Sequence, residues 1–538
     1  MLIVLARRLP QVRDAILVLG AAVTFGLVIA LLPSALDGQV STTVLGELVP
    51  GVELTLRADP MGMVFAALAS VLWVLAGFYA VGYMRGDAAK NQTRFYAFYA
   101  ACLSTAFAVA FAGDLLTFFI AYELLTITTY PLVTHKGDAK ALAAGRTYLG
   151  YLLPGGALVL LAMVIVFAAT GDLAFVAGGM LGDSLGDGAT VLVFLLFAVG
   201  FGTKAGLIPL HAWLPGAMVA PTPVSALLHA VAVVKGGVFA VGRMIGYVVG
   251  PDALQALDLQ SVLAAVAAAT IIVASVIALR QDHLKRRLAY STIAHLAYIV
   301  LGFSLLSEAA FDGALLHILN HGLAKITLFF VAGAIHIAAH KDHVSELDGI
   351  GRRMPFTMLA FAVAAYSLAG LPPAGGFLSK ATLVFGALEA DQYVFAAIMV
   401  GSGLFTAGYL FPIVHRAFFR PEAPHDTAPA SADAPVDDPP QPATAGAGSA
   451  AVVAPSTAEP AATTAETATA TAEPATATTE HLDDHDSDHH ADHGEASARM
   501  VVPLCITAGL SLVVGMVDPG GLYGLAADAA AAVTGGGG

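Results

Sequence analysis

Lys204, Lys235, Lys325 and Lys380 stand inside long apolar stretches of a 538-residue chain, and Glu123 lies within the run FFIAYELLTITTYPLV. A lysine at mid-bilayer costs about 3 kcal/mol on insertion scales, so the four represent roughly 12 kcal/mol that pairing, water or function must offset. Glu123 is the natural counter-ion for one of them, and a buried acid–base pair that opens and closes switches its affinity for protons. Histidines extend the set. His317, His321 and Lys325 follow at four-residue steps and His336 comes eleven residues later. At 100° per residue these four share one helical stripe. Imidazole titrates near neutrality, so such a stripe has the makings of a proton wire; the blander reading is a polar stripe that binds helices together. His229 and Lys235, six residues apart, point about 120° away from each other, toward different neighbours. His211 and His295 sit nearer span ends, where backbone groups can satisfy them. Arg243 is close enough to the end of its span for the guanidinium to snorkel out.

The elements that must position these groups are overwhelmingly apolar. Hydrophobic residues make up 57% of the chain and charged ones 12%, with a mean hydropathy of +0.78. Soluble domains carry about twice that charged fraction, which excludes a soluble enzyme, a nucleic-acid-binding protein and a disulfide-stapled secreted domain. The expectation is an all-α polytopic membrane protein. Apolar windows predict thirteen spans, near 14–33, 60–84, 95–113, 114–134, 147–170, 190–211, 224–248, 260–279, 288–306, 312–339, 355–390, 392–415 and 500–518. Nineteen of the 25 basic residues fall in alternate loops on one side, from Arg7, Arg8 and Arg13 to Arg416, Arg420 and Arg499, against Arg57 alone on the other. The N-terminus is therefore expected in the cytoplasm and the C-terminus outside.

Residues 421–498 break the apolar pattern with repeats of Ala, Thr, Pro, Glu and Asp, and read as a disordered cytoplasmic linker. They account for much of the formal net charge of -14. The linker ends in HLDDHDSDHHADHGE, where His481, His485, His489, His490 and His493 alternate with aspartates. A divalent metal site there is a weak expectation beside a solvated acidic segment. Cys102 and Cys505 are far apart within apolar runs and suggest neither a disulfide nor a metal site.

Two spans are interrupted. FGTKAGLIPLHAWLP places Pro209 and Pro215 just after Lys204, and SLAGLPPAGGFLSK places Pro372, Pro373, Gly375 and Gly376 just before Lys380. Interior prolines free backbone carbonyls, which a bilayer tolerates only beside protein or water. The interrupted spans are the sixth and eleventh, and a repeat of five spans is inverted in the membrane. Interrupted helices at matching places in inverted halves mark the ion site of many secondary transporters. The expected organisation is N-terminal helices over 1–94, one five-helix half-channel over 95–250, its inverted counterpart over 260–420, the linker over 421–498, and a last span with its tail over 499–538. These residues point to a translocator of protons or cations.

The strings YELLTITTYPLV, GFGTKAGLIPLHAWLPGAMVAPTPVSALLHAVAVVKGGVF, LKRRLAYSTIAHLAYI, LNHGLAKITLFF and GGFLSK resemble the antiporter-like subunits shared by respiratory complex I and Mrp-type multisubunit cation/proton antiporters. The similarity runs from about residue 60 to 415 and looks most like the Mrp D subunit. The resemblance implies that Glu123 is the essential membrane glutamate and Lys204 its partner on the first interrupted helix. It places Lys235 and His229 at the linking position, Lys325 at the central lysine and Lys380 at the terminal residue of the second interrupted helix. It implies two linked half-channels, one around Glu123, Lys204 and Lys235, the other around Lys325 and Lys380. The implied function is proton translocation in a multisubunit monovalent cation (Na+)/H+ antiporter of the cell membrane, a secondary transporter rather than an enzyme. Other subunits, protons, sodium and lipid would be its partners, with no cofactor and no nucleic acid. The alternative is a membrane subunit of a redox-driven complex I-like or hydrogenase pump, and a third reading is a scaffold with a metal-binding linker. The family usually has fourteen spans, whereas MLIVLARR reads as the end of a first helix, and the 421–498 insertion is unusually long.

Overall fold

The computed structural model describes residues 1–49, 52–182, 184–422, 494–518 and 521–535. Most of the expected linker, residues 423–493, lies outside them, and with it His481, His485, His489, His490 and His493.

A single turn, α1 (Leu2–Leu5), precedes α2 (Pro10–Leu36), which is apolar enough to span a bilayer yet mostly exposed. Leu19, Val23 and Leu27 face outward from it, a surface suited to lipid tails. An antiparallel hairpin follows, β1 (Ser41–Val49) and β2 (Val52–Ala58), the one sheet among the described residues. Strand β2 alternates apolar Val52, Leu54 and Leu56 with Glu53, Thr55 and Arg57, the period of two of a strand rather than the pattern of a helical span. Thr55 ties the hairpin down by donating its N–H (2.8 Å) and hydroxyl (2.7 Å) to the Asp114 carboxylate.

Next come α3 (Pro60–Gly86), α4 (Gln92–Ala110), α5 (Leu115–Val133) and α6 (Ala139–Thr170). Asp59, Asp114 and Asp138 precede α3, α5 and α6, and each accepts the backbone N–H three residues on. Such caps are worth about 1 kcal/mol each and set where these helices start. The helix α7 (Asp187–Ala205) stops at Gly206, which has φ +75°, and after Pro209 the chain resumes in a short turn, α8 (Trp213–Gly216).

The expected span 224–248 is interrupted as well. It consists of α9 (Thr222–Ala230) and α10 (Val233–Arg243), separated at Val231 (φ -132°, ψ -49°) and Ala232 (φ -87°, ψ -96°), and closes in a π-helical turn over Met244–Val249. The remaining elements are α11 (Pro251–Ala256), α12 (Leu259–Arg280), α13 (Leu284–Ser304), α14 (Glu308–Ala339), α15 (Ile350–Arg353), α16 (Pro355–Ala369), α17 (Gly375–Glu389), α18 (Tyr393–Phe419), α19 (Ala498–Val513) and α20 (Leu522–Thr534). Helix occupies every one of the thirteen expected windows. Among the described residues, nine spans are long and apolar enough to cross a membrane.

Packing sorts the long helices into two rings. In the first, α4 packs on α5, α5 on α6, α6 on α7, α7 on α10, and α10 back on α4. In the second, α12 packs on α13, α13 on α14, α14 on α16 and α17, these on α18, and α18 back on α12. Both rings run in the same order along the chain, with an interrupted element in fourth place. Helix α14, buried along most of its length, also packs against α9 and α3, so it stands where the rings adjoin.

Candidate ion-translocation site

Lys204 occupies the last turn of α7, and the break that follows decides its surroundings. Trp213 fills one of the vacated positions by donating its indole N–H to the Thr203 carbonyl (2.9 Å), and the Ile208 N–H finds the Thr270 hydroxyl (3.2 Å). These partners keep the interrupted backbone satisfied. The Lys204 ammonium donates to the Tyr122 carbonyl (2.6 Å) and lies 3.2 Å from the centre of the Tyr122 ring. Glu123, on α5, stands 4.0 Å away, at the limit of an ion pair. Its Oε1 has no hydrogen-bond partner among the described residues. The Glu123 carboxylate fits against α6 because position 156 is glycine: a Cβ there would overlap it. Gly237 likewise lets α10 lie on the backbone of Lys204 and Ala205.

Lys235 begins the line of polar groups between the rings. Its ammonium meets Nδ1 of His321 at 2.7 Å, which joins α10 to α14. Lys325, one turn along α14, turns to α13 instead and donates to the Ser291 hydroxyl (2.7 Å) and the Leu288 carbonyl (3.1 Å). Nε2 of His317 lies 3.1 Å from Nδ1 of His295, and its Nδ1 lies 2.9 Å from the Ser379 hydroxyl on α17. The rings of His295, His317 and His321 form a triangle with sides of 5.3, 5.5 and 6.0 Å.

Lys380, on α17, reaches back across the second break. It donates to the carbonyls of Leu368 (2.9 Å) and Ala369 (3.3 Å), which the end of α16 leaves free, and lies 5.2 Å from the Tyr298 ring centre. Gly370 turns the chain at φ +85°, and Asn320 holds the far side of the break by donating to the Gly375 carbonyl (2.7 Å). Both interrupted helices thus direct a lysine at backbone carbonyls.

Two sequence expectations, those for His295 and Arg243, meet different surroundings. His295 is fully buried in mid-helix, because α14 and α18 cover it from the side. Arg243 does not snorkel: it is 1% exposed and paired with Asp59 at 2.7 Å, so its charge is neutralised inside the protein. His229 is buried and stacked on Phe329 at 4.5 Å, both ring nitrogens without partners among the described residues, while Lys235 faces His321, as their angular separation predicts. His336 shares α14 with His317, His321 and Lys325 but lies at its far end, bonded to Asp342 at 3.0 Å. Outside the spans, that hydrogen bond and the nearby charges of His336, Lys285 and His283 hold the Asp342 carboxyl down at about 2. His211 stays apart from the lysines, with its ring 6.1 Å from that of Tyr290.

The family described as NADH:quinone oxidoreductase/Mrp antiporter, TM, matches residues 112–406. Among individual relatives, the NADH-quinone oxidoreductase subunit N of Desulforudis audaxviator is 37% identical over 375 residues, covering 69% of this chain and 73% of that protein. A probable K(+)/H(+) antiporter subunit of Rhizobium meliloti is 32% identical over 383 residues, covering 69% of this chain but 37% of that protein. In fold, the chain is similar to one in the Mrp complex from a Dietzia species, with a TM-score of 0.76 at 21% identity over 99% of this chain and 96% of that one. It is also similar to a chain of the archaeal membrane-bound sulfane sulfur reductase, with a TM-score of 0.70 at 23% identity over 76% and 84% of the two chains.

Proposed function

Because the chain belongs to the NADH:quinone oxidoreductase/Mrp antiporter transmembrane family, we propose that it is the proton-translocating, D-like membrane subunit of a multisubunit monovalent cation/proton antiporter. Sodium is the cation favoured, and the other subunits of the complex are its partners. The observation that carries this reading is the set of buried lysines, Lys204, Lys235, Lys325 and Lys380, whose closest partners are carbonyls, a histidine and a hydroxyl rather than carboxylates. A lysine fixed for structure alone is served best by a close carboxylate, whereas one held by neutral groups can lose and regain its proton.

Glu123 acts on this reading as a gate. At 4.0 Å from Lys204 it can close onto the ammonium or withdraw, and each state sets whether the first ring keeps its proton. His229, His317, His321 and His336 complete the path with the lysines. The two five-helix units over 95–250 and 260–420 are the proposed half-channels, supported by the shared packing order of the two rings. The protein is a multi-pass membrane protein; a cell-membrane location with the N-terminus and linker in the cytoplasm is the orientation favoured by the Lys and Arg distribution.

The test uses everted vesicles from a transporter-deficient strain that expresses the whole gene cluster. Collapse of a preformed pH gradient is followed on adding sodium, potassium or lithium, beside a Glu123→Gln complex. A sodium response abolished in the variant, with assembly intact, supports the gate; normal exchange in the variant discards it. The second reading, a proton-pumping subunit of a redox-driven complex, draws on the 37% identity to a quinone oxidoreductase subunit. It predicts no response to any cation in a verified complex.

A further inference from the structure

The hydrogen bonds between Lys325 and Ser379 form one unbroken series, and it does not follow the stripe on α14. The Lys325 ammonium donates to the Ser291 hydroxyl at 2.7 Å. Ser291 donates to the Tyr409 hydroxyl (2.9 Å), and Tyr409 to the Thr406 hydroxyl (3.1 Å). Thr406 meets Nε2 of His295 at 3.4 Å, the loosest step, its one hydroxyl proton shared between that nitrogen and the Ser402 carbonyl at 3.1 Å. His295 then meets His317 at 3.1 Å, and His317 meets Ser379, the residue before Lys380, at 2.9 Å. All seven side chains are buried. By contrast, the direct route along α14 is interrupted, because His321 is turned to Lys235 and its Nε2 has no partner among the described residues.

We propose that Ser291, Tyr409 and Thr406 are relay residues, which carry protons from Lys325 through α13 and α18 to the His295–His317 pair beside Ser379. The proposal deepens the antiporter reading and rests on it. One choice of tautomer serves the whole series. If Thr406 donates to Nε2 of His295, then His295 carries its proton on Nδ1 and donates it to Nε2 of His317, which in turn carries its own on Nδ1 and donates to Ser379. A transfer then balances at each member: each hydroxyl from Ser291 to Thr406, and the His295 ring, accepts a proton from the group before it and releases its own to the group after it, and His317 gains the proton. Lys325 is left as the neutral amine, His317 holds the proton as an imidazolium whose Nδ1–H donates to Ser379, and only O–H and N–H bonds are exchanged.

Hydroxyls are required here by chemistry as well as by geometry. The series is buried between α13, α14 and α18, and a serine, threonine or tyrosine can accept and donate at once. The phenol of Tyr409 spans the gap between Ser291 and Thr406, which a smaller side chain at position 409 would leave open.

The test deletes single hydroxyls without changing shape. Tyr409→Phe, Thr406→Val and the double variant are assembled in the full complex, checked by blue native electrophoresis, and assayed for cation-driven collapse of the pH gradient in everted vesicles. Tyr79→Phe, which removes another buried tyrosine hydroxyl, bonded to the Phe330 carbonyl, serves as the control. Each single variant is expected to lose at least tenfold in rate and the double no more than the worse single, since a series cut once is already cut. Rates within twofold of the parent in both singles overturn the relay. Losses that multiply in the double variant also overturn it, since they indicate independent helix-to-helix contacts. A parent complex that responds to no cation overturns the antiporter reading and the relay with it, whereas normal exchange in the parent beside unaffected variants overturns the relay alone.

Discussion

Glu123 depends on a side chain that is missing. The Cβ of an alanine at position 156 would overlap the Glu123 carboxylate, whereas one at Gly150, on the same helix α6, meets nothing within 4 Å. Gly156→Ala is expected to push Glu123 away from Lys204 and lower exchange at least tenfold, with Gly150→Ala close to the parent, both read as pH-gradient collapse. The Arg243–Asp59 pair belongs to stability instead. Arg243→Leu strands a buried carboxylate and is expected to cost about 3–5 kcal/mol, seen as a lower thermal midpoint in detergent. Adding Asp59→Asn, which can still cap α3, is expected to recover part of that loss. For Asp342 the folded pKa of about 2 lies below the ordinary 3.8, so its contribution to stability is complete above about 4 and lost as pH falls toward 2. Asp342→Asn should therefore lower the thermal midpoint at pH 7 and converge with the parent near pH 2. The lysines, Glu123 and the α14 histidines were legible in the sequence because a charge or an imidazole is conspicuous among apolar neighbours. Ser291, Thr406 and Tyr409 were not, since hydroxyl residues are ordinary in membrane helices and become a series only when three helices meet.

Among the elements, two breaks announced themselves and one did not. Prolines and glycines mark the ends of α7 and α16, where their effect on helix geometry is local. The break between α9 and α10 falls in LLHAVAVVKGG, at a valine and an alanine with no local reason to leave the helix. Helix α14 lies close beside this break, so that a Cβ at Gly322 would stand 3.1 Å from the Ala230 carbonyl. A start can also be set from a distance. Helix α16 has no cap of its own, and Glu495, just before α19, supplies one by accepting the N–H groups of Phe356 (2.6 Å) and Thr357 (3.1 Å). Glu495→Ala is expected to cost about 1 kcal/mol, measured by thermal unfolding, while Glu495→Gln, which keeps an acceptor, loses less.

At the scale of the whole molecule, two rings of helices with one packing order carry the polar line between them, and α19 and α20 close over α3 and α14. The chain leaves and rejoins this assembly at one place. Glu422 lies 3.5 Å from the Arg353 guanidinium, and a Cβ on Gly494 would lie 3.1 Å from the Arg353 carbonyl. Replacing residues 423–493 with a short Gly/Ser bridge is therefore expected to leave exchange within twofold of the parent in everted vesicles. A loss as severe as that from Lys204→Ala would instead support a role for the His-rich segment. The same convergence has a genetic consequence. Since α19 and α20 are held by packing on α3, α14 and α16, a polypeptide divided at this corner into two independently translated pieces is expected to reassemble, with co-expression of the two reconstituting one working protein from two genes.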